Sequence, residues 1–168
     1  MELSDLVVLS VPLHKFRTLD PAALAGKHVL DTMNYWRDTN GDMPELAEAH
    51  SSSEMVHAHL PGARLAKSLN HIGYHELELD ARDAGAADRR ALAVASDDPE
   101  TCALVRDFVE HLGFDAVDAG HLAQGAAFEP TPPSSPAPTM RLGCRANFWH
   151  MPLLHKLSSA PSPRRLDA

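Results

Sequence analysis

Eleven histidines give this 168-residue chain many side chains that could bind a metal ion. His71 and His75 are four residues apart, a spacing that would place both on one face of a helix. A zinc-protease motif also requires glutamate directly after the first histidine, and Ile72 stands there. Solvated or hydrogen-bonded imidazoles are therefore favoured over a metal site, and no metal ligand is assigned. The same applies to the neighbouring His50, His57 and His59.

Side chains that could act as nucleophiles or as acid–base groups have simpler explanations. Ser10 lacks the G-x-S-x-G turn that exposes a catalytic serine. Cys102 falls on the apolar face of a predicted helix, which favours a buried and inert thiol. The pair Asp97-Asp98 stands where that helix begins, so capping explains it. No catalytic residue is assigned from the sequence.

Polar residues follow three predicted strands, each at the point where the strand ends. Ser10 follows the first strand, Thr32 and Asn34 follow the second, and Asn70 and His71 follow the third. In open parallel sheets, ligands bind just beyond such ends. Amide and hydroxyl groups there suit a sugar, an amide or a flat heterocycle. Equally, Asn34 and Asn70 could simply satisfy backbone groups of their loops.

Apolar runs and turn residues predict the elements that carry these groups. The run at 6–12 stops at Pro12 and suits a strand buried on both faces. Further strands are predicted at 28–32, 63–68, 91–95 and 114–118. Because strands and helices alternate, the fold class is α/β, with a partial Rossmann-type parallel sheet and covering helices.

The helices are marked by their ends. A short helical turn is expected at 21–26, and a loop at 34–42. Ser51 and Glu54 have the spacing of a capping box and predict that a helix begins there. Asp98-Pro99 opens a longer helix that ends at Gly113 and places four apolar residues on one face: Cys102, Val105, Val109 and Leu112.

Charge and proline divide the chain into two parts. Residues 1–129 carry 10 basic and 22 acidic residues, whereas residues 130–168 carry 5 basic and 1 acidic residue and 8 of the 13 prolines. We therefore expect a folded domain over 1–129 and a disordered, Pro-rich basic tail over 130–168. The acidic body argues against a nucleic-acid partner. No apolar run is long enough to span a membrane, and no secretory signal is apparent, so a cytoplasmic protein is expected.

Four segments resemble the F420-dependent NADP oxidoreductase family. They are VVLSVP (7–12), VLDTMN (29–34), KSLNHI (67–72) and FDAVDAGHL (114–122), and the resemblance covers about residues 5–130. It implies a Rossmann-type sheet and hydride transfer between NADP and a deazaflavin such as coenzyme F420, or a similar acceptor. The family's opening strand, glycine-rich turn and 2′-phosphate site have no counterpart here. The resemblance therefore implies the C-terminal portion of an NADP-binding domain.

The resemblance also implies which residues lie along the cofactor. Beside the NADP it places Ser10, Val11, Pro12 and His14; near the nicotinamide ribose, Thr32, Met33 and Asn34; near the nicotinamide ring, Asn70, His71 and Ile72.

Without a preceding strand, the apolar run at 6–11 would lie at the edge of the sheet. Such an edge favours self-association through these residues, or pairing with a strand of another protein. The alternative function is accordingly a non-catalytic interaction module or an inactive fragment that uses this exposed edge.

Overall fold

A computed structural model describes residues 6–47, 49 and 51–130. The strands are β1 (Leu6–Leu9), β2 (His28–Asp31), β3 (Arg64–Lys67), β4 (Ala91–Ser96) and β5 (Asp115–Gly120). The α-helices are α1 (Pro21–Leu24), α2 (Arg37–Asn40), α3 (Ser52–His59), α4 (Glu76–Leu79) and α5 (Pro99–His111). In addition, 3-10 helices span Leu13–Thr18, Pro44–Ala47 and Leu122–Phe128. From residue 131 onward, the predicted tail lies outside the described residues, as does His50.

The five strands form one sheet in the order β1-β2-β3-β4-β5. β1, β2 and β3 run parallel, in a register that aligns Val7 with Val29 and Val29 with Leu65. β4 and β5 are parallel to each other, whereas β4 runs antiparallel to β3. The α/β Rossmann-like class is thus confirmed, but the expectation of a sheet that is parallel throughout is wrong at this junction. The connection at 68–90 contains only α4, a single helical turn, so no long crossover helix returns the chain for a parallel strand.

Apolar side chains alternate between the two faces of the sheet, and each face has its own core. Val29 and Leu65 pack on one face with Phe16, whereas Leu30 and Ala66 pack on the other with Phe114. This alternation follows from the two-residue repeat of a strand. The central strands are therefore covered on both sides, as their continuous apolar sequences predict.

Capping residues fix the helices as expected. Ser51 caps α3 by accepting a hydrogen bond from the backbone N–H of Glu54, at 3.1 Å. Asp98 caps α5 by accepting bonds from the backbone N–H and the hydroxyl of Thr101, each at 2.7 Å. Cys102 is buried on the inner face of α5, as predicted, and burial raises the pKa of its thiol.

Two local expectations are wrong. The segment 34–42 is not entirely loop, because α2 forms one helical turn inside it. β1 is not buried on both faces, because Val8 is 45% exposed while Leu9 is buried. The reason is that no described element covers Val8 at this end of the sheet. None of the helices in the described part of the chain has the length and apolar character needed to cross a bilayer.

Replacing Asp98 with alanine should lower the free energy of unfolding by about 1 to 2 kcal/mol, because the backbone N–H and the hydroxyl of Thr101 then lose their acceptor at the start of α5. Urea denaturation measures the loss. The control is Asp107→Ala, an exposed position in the same helix. A D98A variant as stable as D107A would contradict the assigned capping role.

Candidate functional site

The carboxyl ends of β1, β2 and β3 lie at the same edge of the sheet because these strands are parallel. Thr32 joins the first two ends: both its hydroxyl and its backbone N–H donate to the carbonyl of Leu9, at 3.0 and 3.1 Å. The residues that follow β1, namely Ser10, Val11, Pro12 and His14, are exposed beside this junction. We call this edge the strand-end site.

Asn34 and Asn70 hold the second and third ends together. The Asn70 amide donates to the side-chain oxygen of Asn34 at 3.0 Å, and the Asn34 amide donates to the backbone carbonyl of Asn70 at 2.5 Å. Asn70 also donates to the carbonyl of Phe128, at 2.9 Å, and is buried, whereas Asn34 is half-buried. The two amides are therefore fixed in orientation, and Asn34 is the one nearer to solvent.

His71 sets the orientation of Asn70. Its Nε2 lies 3.1 Å from the backbone N–H of Ala93, which can only donate, so Nε2 must be the acceptor. The proton of the neutral ring is then on Nδ1, which donates to the side-chain oxygen of Asn70 at 3.2 Å. Burial, reinforced by the positive charges of Arg90 and Lys67, lowers the pKa of His71 to about 3. His71 is therefore a neutral positioning group near pH 7.

The side chains of Met33 and Ile72 are buried and do not line the strand-end site. Met33 packs in the core that contains Phe16, and Ile72 packs in the core that contains Phe114. Their side chains anchor the two loops from opposite faces of the sheet. The structure thus gathers the ten predicted residues at one edge, where Asn34 and Thr32 are partly exposed and the predicted residues after β1 are exposed.

A buried ion pair lies directly beneath this edge. Lys67, the last residue of β3, and Asp31, the last residue of β2, have fully buried side chains with Nζ 3.2 Å from Oδ2. Lys67 also donates to the backbone carbonyl of Met33. Asp31 accepts from the backbone N–H of Met33 at 2.8 Å and from the Ser53 hydroxyl at 2.7 Å. The pair therefore fixes the loop that carries Thr32 and Asn34.

The 3-10 helix Leu122–Phe128 is joined to the same cluster. Glu129, which follows it, accepts from the backbone N–H of Ser52 at 3.0 Å and from the Ser52 hydroxyl at 2.8 Å. Its Oε1 also lies 4.0 Å from Lys67 Nζ. Gly125 packs so closely on Lys67 that a Cβ there would lie 3.1 Å from its Cγ. Helix α3 and the last described segment thus both close over the lysine.

Sequence reasoning missed Lys67, Asp31 and Glu129 as parts of the site. A signal was present, since β2 and β3 each end in a charged residue of opposite sign and the two strands are parallel neighbours. Identical positions on adjacent parallel strands bring such charges together. A charged residue at the end of a strand is normally exposed to solvent, so the sequence alone did not predict a buried ion pair.

The described residues contain no group of three or more His, Cys, Asp or Glu side chains placed to hold a metal ion. His59 Nε2 lies 3.1 Å from the carbonyl of Leu19, and both ring nitrogens of His71 are engaged as described above. The strand-end site offers amide and hydroxyl groups and a neutral imidazole. Such an arrangement can recognise and orient a polar, uncharged group, without a titrating acid or base.

A groove of about 470 Å³ lies elsewhere on the molecule, against helix α3. It is lined by Phe16, Arg17, Glu45, Ala49, Glu54, Met55, Ala58 and His59. None of the ten residues predicted for the cofactor belongs to this lining.

Comparison with known proteins supports the fold. No protein-family model matches the chain, and no curated protein matches it by sequence. Among solved structures, a hypothetical protein from Sinorhizobium meliloti is similar at 25% identity with a TM-score of 0.57, covering 76% of this chain. A provisionally assigned F420-dependent NADP-reductase from Arthrobacter sp. FB24 is similar at 22% identity with a TM-score of 0.58, covering 74% of this chain. The matched part of this chain spans 60% of the length of the first neighbour and 58% of the length of the second.

Replacing Lys67 with methionine should lower the free energy of unfolding by about 3 to 5 kcal/mol, because the Asp31 carboxylate then remains buried without its partner. Chemical denaturation measures this loss. The matched control on the same strand is Arg64→Met, which breaks the exposed ion pair with Glu100 and should cost less than about 1 kcal/mol. Adding Asp31→Asn to K67M should recover part of the loss. Equal losses for K67M and R64M would refute the importance of the buried pair.

His71 should make stability depend on pH. Its pKa is about 3 in the folded chain and about 6.5 when unfolded, so between these values only the unfolded state binds the proton. Stability should therefore fall as the pH drops from 6.5 towards 3, by up to about 1.4 kcal/mol per pH unit from this group. His71→Gln should remove that part of the slope, whereas His14→Gln, at an exposed position, should keep it. Identical slopes for the wild type and H71Q would show that His71 is not held neutral.

Proposed function

We propose that the strand-end site binds the nicotinamide–ribose end of NADP(H), for hydride transfer to or from a deazaflavin of the coenzyme F420 type or a similar acceptor. The observation that carries this proposal is the Asn34–Asn70 pair beside Thr32, at the joined ends of three parallel strands. The likeness in fold to the Arthrobacter protein supports it.

Asn34 has the hydrogen-bonding capacity that a nicotinamide carboxamide requires. An asparagine amide has two N–H groups and two lone pairs on its oxygen. Contacts with Asn70 use one N–H and one lone pair of Asn34. One donor and one acceptor remain, the complement of a carboxamide. Asn70 has no donor left, because its two N–H groups bond to Asn34 and Phe128, and one lone pair of its oxygen accepts from His71.

Thr32 suits a neighbouring ribose. Its hydroxyl hydrogen is directed to the carbonyl of Leu9, which leaves the oxygen as an acceptor for a ribose hydroxyl. Ser10, exposed at the end of β1, can offer both a donor and an acceptor on the same side of the sheet. The two hydroxyl groups thus extend the recognition surface beyond Asn34.

When bound, the nicotinamide ring supplies or accepts a hydride, and the chain provides orientation and a surface that excludes water. No side chain has to deliver a proton in such a transfer. This agrees with a site whose imidazole is neutral and whose lysine is enclosed by acceptors. Asn34 and Thr32 would hold the carboxamide and the ribose, and the buried ion pair keeps the loop that carries these two residues in place.

The anionic part of the dinucleotide fits this chain less well. No glycine-rich turn follows a strand in the sequence, so the pyrophosphate has no close backbone cradle of the usual kind. Lys15 is exposed just beyond β1 and is the nearest cationic side chain in sequence, and His14 is exposed beside it. We therefore expect recognition to rest mainly on the nicotinamide and ribose.

Titration with NADPH, followed by nicotinamide fluorescence, tests the proposal. Replacing Asn34 with alanine should weaken binding about tenfold, because a donor–acceptor pair is lost. The control is Asn40→Ala, which removes a local bond to the backbone of Trp36 in the neighbouring segment. Its affinity should equal that of the wild type.

Reduced nicotinamide mononucleotide provides a second arm of the same experiment. Its dissociation constant should lie within about tenfold of that of NADPH, because the additional phosphates of NADPH should add little binding free energy. Binding that N34A and N40A weaken equally, or a mononucleotide that does not bind at all, would contradict the assignment. If NADPH binds but the chain does not transfer hydride to F420, the proposed acceptor is wrong.

A further inference from the structure

Each of the three loops that follow β1, β2 and β3 carries one large apolar side chain that is exposed. These residues are Val11, Trp36 and Tyr74, with exposed fractions of 38%, 52% and 88%. A single exposed apolar residue requires no explanation, but several beside one polar site are typical of a place where a ligand binds. The polar strand-end site thus has an apolar side chain in each of its loops.

Trp36 is the aromatic residue closest in the chain to the strand-end site. It is two residues from Asn34, so the Cα atoms of these residues are at most about 7.6 Å apart. Tyr74 is four residues from Asn70, and its ring packs edge-to-face on His75 with 5.3 Å between the ring centroids. Trp36 is therefore the aromatic side chain that can most easily reach a ring bound at Asn34.

The backbone at Trp36 is fixed, although its side chain is half exposed. Its N–H donates to the side-chain oxygen of Asn40 at 3.1 Å, and its carbonyl accepts from the N–H groups of Thr39 and Asn40 at 3.0 and 2.8 Å. The hydroxyl of Tyr35 closes the same loop by donating to the carbonyl of Gly41 at 2.8 Å. An aromatic side chain on such a preorganised turn loses little conformational freedom when a ligand packs against it.

On the basis of the nicotinamide site proposed above, we propose that the indole of Trp36 stacks on a flat, polycyclic heteroaromatic hydride acceptor, the ring class of flavins and deazaflavins. Hydride transfer requires the reacting atoms of the two rings to be about 3 to 3.5 Å apart. The acceptor therefore needs a flat surface of its own beside the nicotinamide. Trp36 provides the largest aromatic face in these loops, which favours a polycyclic acceptor over a small aliphatic one.

Stacking on an indole recognises the ring system and not the charged groups attached to it. The probe for this site is therefore 5-deazariboflavin, which combines a deazaflavin ring system with an uncharged ribityl chain. Its fluorescence anisotropy measures binding to the full chain in the absence of NADP(H). This measurement is separate from the NADPH titration, so the two halves of the site are tested independently.

Trp36→Leu should raise the dissociation constant of 5-deazariboflavin about tenfold, because the stacking surface is lost. Trp36→Phe should raise it less than about threefold, because a smaller aromatic ring remains. The matched control is Tyr74→Leu, which removes the exposed aromatic ring of the neighbouring loop and should change the constant less than about twofold. NADPH should bind W36L within about twofold of the wild type.

Equal binding of 5-deazariboflavin to W36L and the wild type, or no binding to the wild type, would overturn the proposal. A loss for Y74L as large as that for W36L would also overturn it. If W36L binds NADPH as weakly as N34A, Trp36 belongs to the nicotinamide and the acceptor assignment is wrong. A failure of the nicotinamide site itself has a different signature, namely NADPH binding that N34A does not weaken.

Tryptophan emission provides a test that leaves position 36 unchanged. The sequence contains two tryptophans, Trp36 and Trp149, so Trp149→Phe leaves Trp36 as the only source of this emission. Addition of 5-deazariboflavin to W149F should quench the emission along a saturating curve, with the dissociation constant that anisotropy gives. Binding without quenching would place the ring away from Trp36 and contradict the proposal.

Discussion

The buried ion pair between Lys67 and Asp31 is the interaction on which the strand-end site depends. Two charges taken out of water lose several kcal/mol of hydration, and only a complete set of partners offsets this loss. The chain provides those partners from four elements: β2, β3, helix α3 and the segment that ends at Glu129. Lys67 also holds the carbonyl of Met33. A change in any of these elements would leave a buried charge without a partner, so they are coupled in position.

The consequence for function is a site that is organised without titrating groups. The ion pair fixes the loop after β2, and His71, held neutral, fixes Asn70 and through it Asn34. Asn34 and Thr32, both partly exposed, are left with defined donors and acceptors at this edge. A rigid polar surface of this kind suits binding and alignment of a planar amide. It offers no titrating group for acid–base catalysis, which is consistent with the hydride transfer proposed above.

Much of this architecture could be predicted from the sequence, because local signals specify it. Apolar runs mark the strands, Ser51 and Asp98 mark the helix starts, and the parallel order of β1 to β3 gathers the predicted polar residues at one edge. The direction of β4 could not be predicted, since it depends on how the long connection at 68–90 packs. Lys67 was missed because its burial depends on Glu129, Ser52 and Gly125, which are distant in sequence. Tertiary contacts, and not composition, make that lysine part of the site.

In the proposed function, the joined ends of β1, β2 and β3, held by the buried ion pair, bind the nicotinamide of NADP(H). The most direct measurement follows the amide resonances of the isotope-labelled chain during addition of NADPH. The side-chain amide of Asn34 and the backbone amides of Ser10 and Thr32 should shift together, with saturation. Shifts confined to the groove that contains Phe16 and Glu54, or no shifts at saturating NADPH, would contradict it.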